Sequence, residues 1–190
     1  MKYYRDHAKE FIDSTINCDM SEQYRFFESH LTGAGTILDI GFGSGRDSLY
    51  FLSKGYEVYS IDPEPEFAKY GREKGLRHVA IMKAEEIDYK DMFDGIWACA
   101  SLLHVPSNAL NEVFKRCCAA LKPKGIMYAS FKQGDFEGIR NERFYLDLTE
   151  ESLKKYLSGS GLKLVDTKIT EDVRAGRNDI WLNVILARDE

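Results

Sequence analysis

Thr36-Ile-Leu-Asp-Ile-Gly-Phe-Gly-Ser-Gly-Arg-Asp47 is the stretch that decides the fold. Ile37, Leu38 and Ile40 form the short apolar run of a strand buried on both faces. Glycines follow at every second position, Gly41, Gly43 and Gly45, and Ser48 to Leu52 then begins a helical pattern that stops at Lys54-Gly55. A strand, a glycine turn and a helix N-terminus let a ligand approach backbone closely, because glycine brings unusual φ values and no side chain. A glycine-rich surface turn is the plainer alternative.

The spacing narrows the ligand. A dinucleotide fingerprint, G-x-G-x-x-G/A, would need a small residue at position 46 when counted from Gly41. Arg46 stands there instead, and the third glycine comes one place early. That argues against a pyrophosphate seated on the helix, and leaves other nucleosides open.

The chain has 190 residues, 44% apolar, 13% aromatic and 30% charged, with a formal net charge of −5. This fits one domain, 1–190, with a real core. Modest negative charge argues against a protein that wraps a nucleic acid backbone. No run approaches the roughly 18 apolar residues of a membrane span. Met1 to Asp6 lacks a signal-peptide core. Cys18, Cys99, Cys117 and Cys118 have no metal-ligand spacing, so no metal is expected, and they fit a reducing, cytoplasmic setting.

Taken in order, residues 3–16 and a segment capped at Ser21 read as helices, which together with the Thr32-Gly-Ala-Gly35 break make 1–33 a cover placed before a 34–190 core. An alternation follows: strands at 36–40, 56–61, 78–82, 93–98 and 126–131, with helices at 45–54, 65–74 and 107–121 between them. Thr149 caps a helix to Leu157, and strands at 162–169 and 180–187 close the chain. Strands alternating with helices of this length mean parallel β-α-β units, an α/β sheet with helices on both faces. Only 170–179 separates the last two strands, too short for a crossover helix, so they run antiparallel.

These features resemble the class I S-adenosylmethionine-dependent methyltransferases. Ile37-Leu-Asp-Ile-Gly-Phe-Gly-Ser-Gly45 is similar to that family's glycine motif, Asp62 ends the second strand as its ribose-binding acid does, Phe93 to Ala98 resembles its fourth strand, and Leu121 to Gly125 the turn before its fifth. Tyr3-Tyr4, Gly45-Arg-Asp47, Cys99 to Pro106 and Arg174 to Asn183 are similar to a group of small bacterial members of largely unassigned substrate. The resemblance implies a Rossmann-like seven-stranded sheet in the order 3-2-1-4-5-7-6 with the seventh strand reversed. It also implies S-adenosyl-L-methionine as cofactor. The competing classes are a nucleotide-binding oxidoreductase and a non-catalytic cofactor-binding subunit.

In that frame Gly41, Gly43 and Gly45 pass against the methionyl-ribose portion, and Asp62 accepts both ribose hydroxyls. Capping of the next helix, with Pro63 at its first position, is the plainer alternative for Asp62. Asp39 faces the cofactor amino group, directly or through water. Arg46 is a cation at a helix start, where the dipole disfavours it, and the cofactor carboxylate is one partner for it, a solvated pose the other. Lys83 stands where relatives carry an acid near adenine, which leaves backbone of Ala84 and the side chain of Glu85 as substitutes. Cys99, Ala100, Ser101 and Leu102 lie under the methionine, Cys99 as a small apolar filler rather than a nucleophile. Tyr4 is placed as a lid over the cofactor, with helix packing as its competitor.

Methyl transfer from a sulfonium asks mainly for alignment and exclusion of water. A base is needed only for a protonated acceptor of high pKa. His104 is the candidate, against a role in holding its own turn. Topology brings Lys132, Arg174 and Arg177 to one rim, and the 134–148 loop, long enough for a lid, adds Arg140, Arg143 and Tyr145. These cations suggest a small anionic acceptor as partner. Pairing with Asp135, Glu137, Glu142, Asp172 and Asp179 on a solvated rim is the alternative. Trp181 reads as core, its indole N–H needing a partner. Oligomeric state is not legible.

Overall fold

The computed structural model describes residues 7–33, 35–174 and 176–189. In chain order the elements are α1 (Ala8–Thr15), α2 (Ser21–Glu28), β1 (Thr36–Ile40), α3 (Arg46–Ser53), β2 (Glu57–Asp62), α4 (Pro65–Glu73) and β3 (His78–Ile81). They continue with β4 (Phe93–Ala98), α5 (Ser107–Ala120), β5 (Leu121–Lys132), β6 (Glu137–Arg140), β7 (Arg143–Leu146), α6 (Glu150–Leu157), β8 (Leu162–Glu171) and β9 (Ile180–Arg188). Short 3₁₀ turns follow β3 at Ala84–Glu86 and β4 at Leu102–His104.

The main sheet has seven strands in the order β3-β2-β1-β4-β5-β9-β8. β1 pairs in parallel with both β2 and β4, while β9 runs antiparallel to β5 and to β8. This is the expected order, including the reversed strand. β1 leads outward to β2 and β4 leads the other way to β5, so the chain changes direction between β1 and β4. The crevice beyond the carboxyl ends of those two strands is where such sheets bind ligands.

The alternation of side chains along β1 divides the core. Leu38 and Ile40 join Ile96, Met127, Leu110, Phe114 and Leu153 on the face covered by α5 and α6. Ile37 joins Trp97, Tyr128, Phe51, Tyr24 and Phe27 on the face covered by α2 and α3. Trp97 stacks on Tyr128 with centroids 4.0 Å apart, and Phe27, fully buried, meets the Trp97 ring at 5.3 Å. Burying a ring of that size is worth about 1.5–3 kcal/mol. Gly95 on β4 makes this contact possible, since a Cβ there would lie 2.7 Å from Phe27.

Three local expectations need correction. α2 starts with Ser21 already helical, and Asp19 Oδ1 accepts its backbone N–H at 2.9 Å, so Asp19 rather than Ser21 supplies the oxygen. β5 pairs with β4 from Leu121, with a register shift between Phe93 and Gly95. The stretch 134–148 is not an open loop. It folds as the β6–β7 hairpin, turned at Asn141 and Glu142, both at positive φ (48° and 63°). Its far end is fixed to β5 by Leu148 N–H donating to the Lys132 carbonyl at 2.9 Å. The Thr149 cap is as expected, with its hydroxyl accepting from Ser152 N–H at 3.1 Å.

Candidate active site

A cavity of about 370 Å³ runs along the carboxyl edge of the sheet, from the glycine turn after β1 to the β8–β9 turn. That is within the usual size range of small-molecule sites. At one end it is lined by Gly41, Gly43, Arg46, Asp62, Pro63, Ala84, Glu85 and Cys99 to Leu102, and at the other by Lys132, Arg143, Tyr145, Arg174 and Arg177, with His104 between. Tyr4 lies outside the described residues. Gly45 and Asp39 are not in the wall.

Asp62 is the best-defined polar group of the first end. Its Oδ2 accepts Gly43 N–H at 3.1 Å and its Oδ1 accepts Glu64 N–H at 2.8 Å. Each oxygen therefore keeps one lone-pair direction for a ligand hydroxyl. The carboxyl is 6% exposed, and burial raises its pKa to about 6 against the opposing effect of those two amides. It is an oriented, desolvated acceptor pair that is ionised at neutral pH. That suits a vicinal diol such as the ribose of S-adenosylmethionine.

The glycines behave differently from expectation. A Cβ at Gly41 would come 2.5 Å from Ser101 Cβ, and one at Gly43, where φ is +51°, would come 2.8 Å from the Phe11 ring. The missing side chains are thus filled first by the protein itself. They let β4's end and α1 close against the turn and shape the cavity from three sides. Gly45 is the left-handed residue (φ 75°) that starts α3.

Asp39 and Arg46 both have partners inside the fold. Asp39 is buried behind the wall, where it accepts Ser48 Oγ at 2.6 Å, and Ser48 in turn bonds Ser60 at 2.8 Å. Burial, with Asp47 nearby, holds its pKa well above the usual carboxylate range. Arg46 is not a guanidinium waiting for a ligand. Its Nε and Nη2 donate to the two oxygens of Asp47 at 2.7 and 2.9 Å. Asp47 also accepts Tyr24 Oη at 2.6 Å and Trp97 Nε1 at 2.9 Å. Burial alone would raise this carboxyl's pKa, but the Arg46 charge and these hydrogen bonds hold it below the ordinary value. The helix-start cation is thus compensated within the fold, while Arg46 still reaches the cavity wall.

Cys99 lies 3.9 Å from both Arg46 Nη2 and Ser130 Oγ, and burial pushes its thiol up to about 12. It is a packed thiol, as expected. Ala100, at φ 50°, is a non-glycine residue in the left-handed region, where backbone strain of about 1–3 kcal/mol gathers at ligand sites. Its N–H is held by Ser130 Oγ at 2.8 Å. His104 Nδ1 donates to the Phe144 carbonyl at 2.6 Å, and burial lowers its pKa to about 4. It is a neutral ring that ties the 3₁₀ turn after β4 to β7, so the turn-holding role expected as the alternative is realised.

At the far end three cations are paired. Lys132 Nζ lies 2.7 Å from Asp179, Arg174 grips Asp172 with Nε and Nη2 at 2.9 and 2.5 Å, and Arg140 reaches Asp147 at 2.5 Å. Arg140 is outside the cavity wall. Trp181 Nε1 also donates to Asp172, at 3.2 Å. Tyr145 is nearly buried beneath Arg140, Arg143 and Lys132, which lie 4.8, 5.2 and 5.2 Å from its ring centre. Arg177 is exposed and has no carboxylate partner among the described residues. The rim alternative therefore describes Lys132 and Arg174, though with Asp172 in the cavity wall itself.

Sequence reasoning missed Phe11, Gln23, Phe42, Phe67, Tyr128 and Asn183, which also line the cavity. Phe11 and Gln23 read as ordinary helix positions. The β5 and β9 alternation carried a usable signal, since Tyr128 and Asn183 are polar-tipped residues on adjacent interior strands, and Tyr128 Oη does donate to Asn183 Oδ1 at 2.6 Å.

A parallel sheet with this reversal, a glycine turn after β1 and an oriented acid at the end of β2 define a nucleoside-binding α/β domain. Comparison with known proteins narrows the class. Residues 38–129 match the family model described as "Methyltransferase domain". An uncharacterized methyltransferase of Staphylococcus carnosus is 27% identical, covering 97% of this chain and 91% of its own length. The YqeM protein of Bacillus subtilis is 26% identical across 68% of this chain, and the chain spans 57% of its length. In structure the chain is similar to the 1,6-didemethyltoxoflavin-N1-methyltransferase of Burkholderia thailandensis, solved with 1,6-didemethyltoxoflavin and S-adenosylhomocysteine. The TM-score is 0.80 at 26% identity, with 100% of this chain and 85% of that one covered. In fold and in these matches the chain is similar to the S-adenosylmethionine-dependent methyltransferases.

Proposed function

We propose that the protein transfers a methyl group from S-adenosylmethionine to a small anionic molecule bound at the Lys132–Arg177 end of the cavity. The observation that carries this reading is one continuous cavity with the buried, amide-oriented Asp62 carboxylate at one end and a cationic rim at the other. The relative that binds 1,6-didemethyltoxoflavin supports a small-molecule acceptor by analogy.

In this reading Asp62 holds the ribose and the turn at Gly41 to Gly43 supports the methionyl chain. Ala84 and Glu85 border the adenine, and Cys99 to Leu102 form the floor. When bound, the cofactor supplies an electrophilic methyl on a cationic sulfur. The chain's own task is then to align the acceptor and keep water out, which Phe11, Phe42 and Phe67 do beside the glycine turn. Lys132 and Arg177 draw in and orient the anion. His104, with a pKa of about 4, is a weak base, so the reading favours an anionic acceptor that needs no proton removed from the attacking atom. Release of S-adenosylhomocysteine across a panel of thiols, small carboxylates, metalloid oxyanions and amines tests it. Turnover confined to anionic acceptors is expected, and turnover confined to neutral or cationic ones would contradict it. Heat on titration with NAD(H) but not with S-adenosylhomocysteine would favour the oxidoreductase class.

A further inference from the structure

Gln23 is a buried polar side chain that the fold leaves unused. It follows Ser21 and Glu22 on α2, whose Tyr24 and Phe27 enter the core, and it is 5% exposed in the wall of the cavity. Its Oε1 is buried without a hydrogen-bond partner among the described residues. The contrast is Asn183, a buried carboxamide in the same wall. Asn183 Nδ2 donates to the Lys168 carbonyl and Thr170 Oγ1 at 3.0 Å each, and its Oδ1 accepts from Tyr128.

Leaving a buried amide unbonded costs about 1–3 kcal/mol, which an apolar residue of similar volume would avoid. Half a turn about the last torsion exchanges oxygen and nitrogen, so the group can offer an acceptor or a donor. The far half of the same cavity is lined by the aromatic residues Tyr128, Tyr145 and Trp181. Flat walls of this kind fit a flat ligand.

We propose that Gln23 is a specificity-determining residue of the acceptor half, and that the acceptor is a small aromatic or heteroaromatic anion. On this account the charge goes to the Lys132–Arg177 rim, and an O–H, N–H or ring carbonyl elsewhere on the molecule bonds the Gln23 carboxamide. The proposal rests on the reading of this cavity as a methyl-acceptor site.

The test uses the full chain saturated with S-adenosylhomocysteine and measures binding of benzoate and of the three hydroxybenzoates by calorimetry. Wild type should bind at least one hydroxybenzoate about tenfold more tightly than benzoate, the effect of one well-formed hydrogen bond. Gln23→Leu should erase that preference, leave benzoate and S-adenosylhomocysteine affinities within about twofold, and leave the melting temperature unchanged or raised, since it removes an unpaired polar group. Gln23→Met provides the same comparison if the leucine variant does not fold. A preference that survives the substitution overturns the assignment to Gln23, as does a lowered melting temperature, which would mark a structural role. Normal S-adenosylhomocysteine binding with no affinity for any of the four carboxylates overturns the acceptor class. Failure of wild type to bind S-adenosylhomocysteine would instead overturn the underlying reading of the cavity.

Discussion

The two ends of the cavity are built by different means. At the glycine-turn end, the construction rests on backbone. Gly43 and Glu64 amides aim the Asp62 carboxylate, and glycines at 41 and 43 let Ser101 and Phe11 close in. At the β8–β9 end it rests on long side chains from β5, β7 and the turn after β8, and each of Lys132 and Arg174 is already committed to a carboxylate. A backbone-built half suits a ligand that does not change. A half of paired cations on long side chains can be re-tuned by single substitutions. The relatives' names do differ in acceptor, ubiquinone biosynthesis, phosphoethanolamine and 1,6-didemethyltoxoflavin among them.

The sharpest way to break this contrast is to remove the group that welds the first half together. Asp47 takes four hydrogen bonds, two of them from Arg46, and joins α2 to α3 and β4. Asp47→Ala would leave the mostly buried Arg46 charge uncompensated. Denaturant melts should show a loss on the order of 3–5 kcal/mol, and Lys132→Ala at the rim far less.

Acidification should separate the halves next. Asp62 has a pKa of about 6 in the fold against an ordinary 3.8, chiefly through burial. Its contribution to the stability of the ligand-free protein is therefore full below the ordinary value and is lost as pH rises through about 6. In the proposed reading cofactor binding runs the other way, because the ionised form is the one that would accept the ribose hydroxyls. S-adenosylhomocysteine affinity should be flat above pH 7 and fall by about tenfold per unit below 6. A pH-independent affinity between 5 and 7 would remove Asp62 from the contact.

At the rim, Arg177→Ala should lower kcat/KM for an anionic acceptor by about 1 kcal/mol, roughly fivefold, as expected for an exposed charge. S-adenosylhomocysteine affinity should stay as in wild type. An equal loss in both would merge the two halves. The smallest expected effect is at His104. With its pKa lowered to about 4 by burial, the pH–rate profile should have no inflection from this ring near 6.5, and His104→Asn should leave the profile's shape unchanged.

What could be read from sequence follows the same division. The strand order, the glycine turn and Asp62 are local patterns, in which a few consecutive residues specify both conformation and position. The β6–β7 hairpin was hidden because its turn is Asn141-Glu142. Such a turn needs positive φ at both residues, and glycine, the usual marker at the second, is absent. The pairing of Arg46 with Asp47, and their joint burial beneath Tyr24 and Trp97, depends on elements 23 and 50 residues from Asp47. Gln23 was illegible for a related reason. A glutamine on an amphipathic helix reads as solvent-facing until β8 and β9 are known to lie across from it.

The central claim is that Asp62 anchors the donor independently of the acceptor half. Calorimetric titration of S-adenosylhomocysteine into wild type and Asp62→Ala, at pH 7.5 and without acceptor, tests it most directly. Loss of about 1.5–3 kcal/mol in a variant that melts as a folded protein is the predicted result, the scale of hydrogen bonds to a charged group. Equal affinities in the two proteins would contradict it.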